Sequence, residues 1–558
     1  MKSFNKYLII LLSGLMLSSC TDWLTEEQPD VSKLEDFFSG FDAAQQTVTA
    51  CYVPLQWEYA ETYFSEWFIG DIMSDDALKG GGSLNDMSDA YDMENWQTQI
   101  DNSLVRSYWK ANFLGISRCN LSLHYIEEME TDTSLTESKK NRLLGEVHFL
   151  RAYYYFRLVR AFGGVPLIDH IISGEDEWSI ARSSAAEIYA LILEDLEFAA
   201  NNLWLKSSYN EVDLGRATKG AAQAMLQKVN LYLAGDGNVQ NRPDGKSAAY
   251  FYGEAKKWGD LVINSGEYDL CPKYADNFNL AGENGIESVF EIQYIGNEGD
   301  GTGDYGSNEN ERWGSTRGTF TLVLTRSRSS IINTLGDGWG FNKPSENLYN
   351  EFEDGDIRRE VTIYRPKYKV LKDSEGNDYI YREIVTPSEE IYLGDSLLSR
   401  KYGLYNDVYT TDDAETCVTT YKNGHATRGP INNKQIRYAD VLLMQAEACL
   451  GLGDAGTALT LINKVRTRVG LADAATADWT TLRHERRCEL AMEGHRWFDL
   501  CRWGIAYETM TAYEAQESSD YKDQIKLGGG FVKGKHELLP IPLKEIELDP
   551  AMEQNPGY

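Results

Sequence analysis

Five long stretches bring apolar residues back at steps of three and four: LVRSYWKANFLGISRCNLSLHYIEEM, RLLGEVHFLRAYYYFRLVRAF, AAEIYALILEDLEFAANNL, ATKGAAQAMLQKVNLYLAG and YFYGEAKKWGDLVINSG. That period gives each segment a single apolar stripe, so each is a helix that must bury one face against a neighbour. Gly163-Gly164 before Val165-Pro166, Gly235 and Gly266 are the stops between them. Short breaks between long helices favour antiparallel pairs. A further pair lies at residues 436–471, IRYADVLLMQAEACLGLGDAGTALTLINKVRTRVGL, broken at Gly451 and Gly453, with Ala446, Ala448 and Ala458 allowing close approach. This is the pattern of a tetratricopeptide hairpin, although the spacing of hairpins is too irregular for a clean tandem array. The expected fold is therefore mainly α, a tetratricopeptide-like scaffold.

Residues 268–430 differ in texture. VFEIQY and EVTIYRPKYKVL read as short strands, separated by Gly-, Asn- and Asp-rich loops such as GNEGDGTGDYGSNENERWGSTRG. Long polar loops of this kind are usually either mobile or functional. The predicted organisation is a helical part over 31–267, a loop-rich insertion over 268–430 and a second helical part over 431–558. The last part closes in HELLPIPLKEIELDPAMEQNPGY, a tail expected to lie extended over the body.

The N-terminus sets the compartment. Lys2 and Lys6 precede an apolar run, YLIILLSGLML, which is too short to span a bilayer, and Ser18-Ser19 stand directly before Cys20. Residues 1–19 read as a signal peptide whose end resembles a lipobox, with Cys20 as the acylated first mature residue and residues 20–30 as a polar tether. An ordinary secretory signal with a coincidental Cys is the alternative. No later segment is long and apolar enough to span a membrane. The formal charge of -32 disfavours nucleic acid and anionic lipid as partners over most of the surface. Seven cysteines remain after Cys20, with no CxxC pair, so neither a zinc ribbon nor a complete disulfide framework is indicated. With 13 Trp and 34 Tyr the chain has more flat amphipathic rings than its core needs, which points toward ligand recognition.

Residues 485–504, ERRCELAMEGHRWFDLCRWG, concentrate charge, His, Cys and Trp. Together with His484 they come one substitution short of the His-Glu-x-x-His zinc signature, because Cys488 stands where the second His belongs. On one helix Glu485, Glu489 and Glu493 fall at four-residue steps, and Arg486 with Glu489, Glu493 with Arg496, and Arg496 with Asp499 are three-residue neighbours placed to pair. The reading favoured is a partly buried ion-pair lattice that docks this helix, with Gly494 admitting another backbone. A metal or acid/base site is the alternative.

The run Glu485-Arg486-Arg487, Glu489-Leu490, Glu493-Gly494, Arg496, Asp499-Leu500, Arg502-Trp503-Gly504 resembles the signature of the SusD/RagB family, surface nutrient-binding lipoproteins of Gram-negative bacteria. In order along the chain, the lipobox ending at Cys20, FLRAYYYFRLVRAFGGVPLI, RYADVLLMQAEACLGLGD, LLPIPLKEIELDP and QNPGY agree with it. The resemblance implies a tetratricopeptide-like scaffold, glycan capture without catalysis or cofactor, an outer-membrane location facing the cell exterior, and partnership with a SusC-like TonB-dependent transporter. Other readings are a lid for peptide uptake, a protein-binding tetratricopeptide scaffold, and a secreted glycoside hydrolase. The last would need two carboxylates roughly 5–10 Å apart across a cleft.

A glycan site needs aromatic faces outside the helical stripes, with amide, carboxylate or guanidinium side chains beside them. Trp109, Trp204, Trp258, Trp497 and Trp503 lie in helical patterns and are expected in the core. The candidates for stacking and hydrogen bonding are Tyr91, Asn95 and Trp96 in SDAYDMENWQTQ, Tyr305, Asn308, Asn310, Arg312 and Trp313 in GTGDYGSNENERWGSTRG, and Trp339 in GDGWGFN. Asp300, Asp304 and Glu311 match positions one, five and twelve of a calcium loop, but Tyr305 stands where Gly is required, which weakens that reading. Ser74-Asp75-Asp76 reads as a helix cap in preference to a ligand contact.

Overall fold

The computed structural model describes residues 40–57, 66–83, 85–174, 177–294, 318–325, 338–365, 367–372, 374–376, 378–381, 391–392, 397–401, 431–513 and 530–558. Cys20, Tyr305, Asn308, Asn310, Arg312, Trp313 and the calcium candidates Asp300, Asp304 and Glu311 lie outside these residues.

The scaffold is a succession of paired helices: α1 (Gly40–Tyr52), α2 (Ser88–Glu94), α3 (Ser103–Glu128), α4 (Glu137–Phe162), α5 (Ala185–Asn202), α6 (Lys219–Ala234) and α7 (Ala248–Ile263). After the strand-bearing region come α10 (Tyr438–Gly451), α11 (Ala455–Arg468), α12 (Trp479–Leu490), α13 (Arg496–Arg502), α14 (Ala506–Ala512) and α15 (Leu543–Leu548). Sequence neighbours pack on one another, α3 on α4, α4 on α5, α6 on α7 and α10 on α11, and α7 also packs on α10. This is the helical tetratricopeptide-like arrangement the apolar stripes imply.

The helix ends have local causes. The Asn102 side chain accepts from the Leu104 and Val105 amides to start α3, and Ser184 and Glu187 form a capping box on α5. At the other end of α4, Gly163 takes φ 72°, a left-handed conformation that suits glycine. α6 stops at Gly235 and α10 at Gly451, as the glycine pattern predicts.

Strands are short. β1 (Ala77–Gly80) pairs antiparallel with β3 (Phe341–Pro344), and β2 (Ser288–Ile292) with β4 (Asn433–Arg437). β3 leads into α8 (Glu346–Glu351) and then α9 (Ile357–Thr362). Residues 363–364 pair with 398–399, and residues 367–372 lie between 378–381 and 391–392. The segment EVTIYRPKYKVL is only partly extended, because Glu360–Thr362 close α9, with the Ile363 amide bonded back to Arg359 O. The C-terminal tail lies over the scaffold, but it is not extended throughout, because Leu543–Leu548 form α15: Leu539 N donates to Ala161 O (2.7 Å), Leu543 N to Ile100 O (2.8 Å), and the Asn555 amide to Phe162 O (3.0 Å) and Leu539 O (2.7 Å).

Candidate functional site: a glycine-rich rim clamped by a buried charge lattice

Residues 485–504 do not form one helix. α12 ends at Leu490, and a turn with Met492 at φ 61° and Gly494 at φ 78° intervenes before α13. Glu493 therefore lies on the turn and not on the helical row with Glu485 and Glu489. The cause is close packing: a Cβ on Gly70 would stand 2.0 Å from Gly494 O, and Gly494 N donates to Asp71 Oδ1 (2.9 Å).

The charges pair mostly across the fold and not within the stretch. Glu485 receives Arg358 of α9 (2.5 Å) and Arg466 of α11 (3.0 Å). Glu489 receives Arg358 (3.2 Å), Arg437 (3.0 Å) and Arg468 (2.5 Å), while Glu493 receives Lys401 (2.6 Å) and Arg437 (2.8 Å). Arg486 bridges Asp499 and Asp440, each at 2.6 Å, and Arg502 holds Asp499 (2.8 Å) and Glu447. The side chain of every one of these carboxylates is at most 5% exposed. Burial alone would raise the pKa values of Glu493 and Asp499, but Arg437 and Lys401 hold Glu493 down at about 2, and Arg486 and Arg502 hold Asp499 at about 2. They are ionised and fully engaged, which is the structural reading of the stretch.

His484 is also engaged. Its Nδ1 lies 2.8 Å from Glu351 and its Nε2 3.4 Å from Glu353, with the Cys488 sulfur 4.0 Å away. Contacts with Cys488 and Glu351 push its pKa up to about 11, which favours the imidazolium paired with Glu351 and Glu353.

The remaining arginines reach the candidate site. Arg487 Nε donates to Asp76 (2.7 Å) and its Nη2 to Asn347 (2.8 Å), and Arg496 Nε donates to Asp75 (2.8 Å). Ser74-Asp75-Asp76 is thus no helix cap: its two carboxylates are 3% and 1% exposed and receive the signature arginines. Burial opposes ionisation of Asp75, yet Arg487 and Arg496 hold its pKa well below the usual range. From this anchor β1 starts. Ser345 N donates to Asp76 O (2.8 Å) and Asn342 Nδ2 to Asp71 Oδ2 (3.0 Å), which fixes β3 beside it.

At the far end of the ribbon, Gly81 N donates to Gly340 O (2.8 Å), and a Cβ on Gly80 would stand 2.1 Å from the same oxygen. Lys79 is buried beneath the rim. Its ammonium donates to Ser83 O (2.9 Å) and Asp86 O (2.6 Å) and lies 5.9 Å from the ring centres of both Tyr91 and Phe341. Burial pulls its pKa down to about 8, opposed by Glu94 and Asp86. Lys79, Gly80, Gly81, Gly340 and Phe341 are buried, and Gly82, Ser83, Tyr91 and Trp339 carry the exposure along this rim.

The sequence candidates separate here. Tyr91 on α2 and Trp339, two residues before β3's Phe341, are both half-buried and border this rim. Asn95 follows α2 and returns its amide to Tyr91 O (2.8 Å). Trp96 is placed differently: it is 5% exposed, with Trp497 (5.2 Å), Phe531 (5.0 Å) and His536 (5.9 Å) around its ring. Its backbone takes φ 62°. Of the tryptophans expected in the core, Trp109, Trp258, Trp497 and Trp503 are buried, and Trp204 is half-buried under the Arg142 guanidinium (5.1 Å). Sequence reasoning missed Lys79 and Phe341, for which the only signal is the glycine run Gly80–Gly82 beside them.

Two family models tile the chain. The SusD family model matches residues 286–558, and a model described as starch-binding, associating with outer membrane, matches residues 22–231. The chain belongs to the SusD family. A SusD-like protein of Bacteroides ovatus is 25% identical over 512 residues, covering 89% of this chain and 82% of that one. Among solved structures, a laminarin-binding SusD-like protein superimposes with a TM-score of 0.73 at 28% identity, covering 93% of this chain and all of the other. Surface glycan-binding protein A from Bacteroides fluxus gives a TM-score of 0.71 at 25% identity over 93% of this chain and all of its own. Among the described residues of this SusD-family chain, no helix is long and apolar enough to cross a membrane, and no group of three or more His, Cys, Asp or Glu could hold a metal.

Proposed function

We propose that the chain is a surface lipoprotein that captures oligosaccharide without cleaving it and delivers it to a SusC-like TonB-dependent transporter of the outer membrane. The observation that carries this reading is the rim: Tyr91 and Trp339 border a glycine-rich ribbon held rigid by Lys79 and by the buried arginine lattice. A fixed aromatic surface is what sugar stacking requires, since a platform that must be ordered on binding loses affinity to that ordering. The laminarin-binding relative supports a neutral glucan as the ligand class, and the surface glycan-binding relative supports a glycan. The chain's net charge of -32 agrees with a neutral ligand in preference to an acidic one. In this reading Tyr91, Asn95 and Trp339 contact the ligand, and Cys20 carries the acyl chains that hold the protein at the outer membrane, facing the exterior.

The test is titration of the chain lacking residues 1–20 against laminarin-, starch- and host-glycan-derived oligosaccharides, with product analysis of the same mixtures. Binding with intact oligosaccharide is expected. Release of shorter sugars would replace the reading with hydrolysis, and silence across the panel would favour peptide as the cargo. Incorporation of labelled palmitate, lost in Cys20→Ala, tests the anchor.

A further inference from the structure

A second concave surface has the composition of a saccharide site and shares no residue with the rim. It is a cleft of about 400 Å3 where the loop after α6, the α13–α14 corner and the C-terminal tail meet. Its wall is the loop 236–241, which presents Asn238, Gln240 and Asn241. The opposite side carries Tyr507, 37% exposed, with Lys533 and Glu537 at the mouth.

The loop is built to hold this position. Arg242 Nε donates to Leu233 O (2.7 Å) and its Nη2 to Ala234 O (2.9 Å), which pins the chain as it leaves α6. Asn241 Nδ2 donates to Asn238 Oδ1 (2.9 Å), so one amide orients the other. Gly235 and Gly237 let the loop press onto α13: a Cβ at either would stand 2.1 Å from Arg502 O or 1.9 Å from Cys501 O. Within the floor, the Arg160 guanidinium lies 4.7 Å from the Phe156 ring centre and 4.0 Å from that of Phe498, which keeps it flat and immobile. Amides offer both donors and acceptors to sugar hydroxyls, and an exposed tyrosine offers a face to the ring. The volume is that of a small-ligand site and suits one or two sugar rings.

We infer that this cleft is a second saccharide subsite, in which Tyr507 stacks against a neutral sugar and Asn238 and Asn241 bond its hydroxyls. The inference rests on the glycan reading of the rim. Tyr507 lies 6.1 Å from Phe531, and Phe531 5.0 Å from Trp96, next to Asn95. Phe531 and Trp96 are each 5% exposed, so this aromatic layer lies beneath the surface and backs the cleft without carrying ligand.

The experiment is calorimetric titration of the chain lacking residues 1–20 with laminarihexaose and with maltohexaose, on the wild type, Tyr507→Ala, Asn241→Ala and Trp339→Ala. With whichever probe binds, the expected result is loss of one of two binding events, or at least a tenfold loss of affinity, in Tyr507→Ala and Asn241→Ala at unchanged melting temperature. Wild-type stoichiometry and affinity in both cleft variants, with Trp339→Ala impaired, overturns the subsite and leaves the rim reading standing. No binding of either probe to the wild type overturns both.

Discussion

The stretch 485–504 and the ribbon around Lys79 invert what their sequences suggest. The first is crowded with ionisable groups and has no chemistry to offer, because each carboxylate named above is buried and met by a cation. The second, LKGGG against GWGF, is nearly featureless as sequence, yet it borders the candidate binding surface. Charged groups at high density in a large protein neutralise one another when buried, whereas binding surfaces are made of apolar faces and backbone shape. The two regions are mechanically joined, since Arg487 and Arg496 carry the lattice directly into Asp75 and Asp76 at the foot of β1.

Breaking the lattice should therefore be the most damaging change. Glu489→Gln leaves Arg358, Arg437 and Arg468 facing a neutral group, and loss of one partner from a buried ion pair costs about 3–5 kcal/mol. Chemical denaturation is expected to show that loss, with Arg487→Met comparable and glycan affinity falling as β1 loses its anchor. Trp96→Ala separates packing from binding: a buried Trp removed from its ring cluster costs about 3–5 kcal/mol. Stability should collapse there, in contrast to a platform residue. Gly70→Ala sets a Cβ against Gly494 O, and overpacking of this kind costs about 1–3 kcal/mol. Its melting temperature should fall while Gly453→Ala, at φ 83° but with open space around it, falls less.

Acid titration probes the same lattice more gently. Glu493 and Asp499 have folded pKa values of about 2, below their usual 4.5 and 3.8, so the unfolded chain binds more protons as pH falls through that window and stability is lost. His495, held down at about 3 first by desolvation and then by Lys228, adds to the loss between pH 6.5 and 3. Asp71 acts with the opposite sign. Burial raises it to about 7, so the folded chain holds its proton longer and this group favours folding more as pH falls from 7 to 4. Denaturant midpoints measured from pH 7 to pH 3 should fall overall, and Asp71→Asn should steepen the fall.

The scaffold was legible because helical periodicity, glycine stops and capping residues are local. The tetratricopeptide-like hairpin at 438–468 is broken at Gly451 and Gly453, as its sequence indicates. The pairing of charges was not legible: spacing on an ideal helix pointed inward along 485–499, while the partners Arg358, Lys401, Arg437 and Arg468 come from segments far away in sequence. The turn at Met492–Gly494 depends on Gly70, more than 400 residues upstream, and no local pattern encodes it. In the candidate site, loop context identified Tyr91 and Trp339 but could not distinguish them from Trp96. That distinction rests on packing against Trp497, Phe531 and His536, all more than 400 residues away in sequence.

The measurement that bears most directly on the division between lock and platform is the laminarihexaose affinity of Trp339→Ala beside that of the wild type, with melting curves recorded on the same samples. The expected result is at least a tenfold loss of affinity with the melting temperature unchanged. Wild-type affinity in this variant, with the fold intact, would contradict the account and move the platform away from the β1–β3 rim.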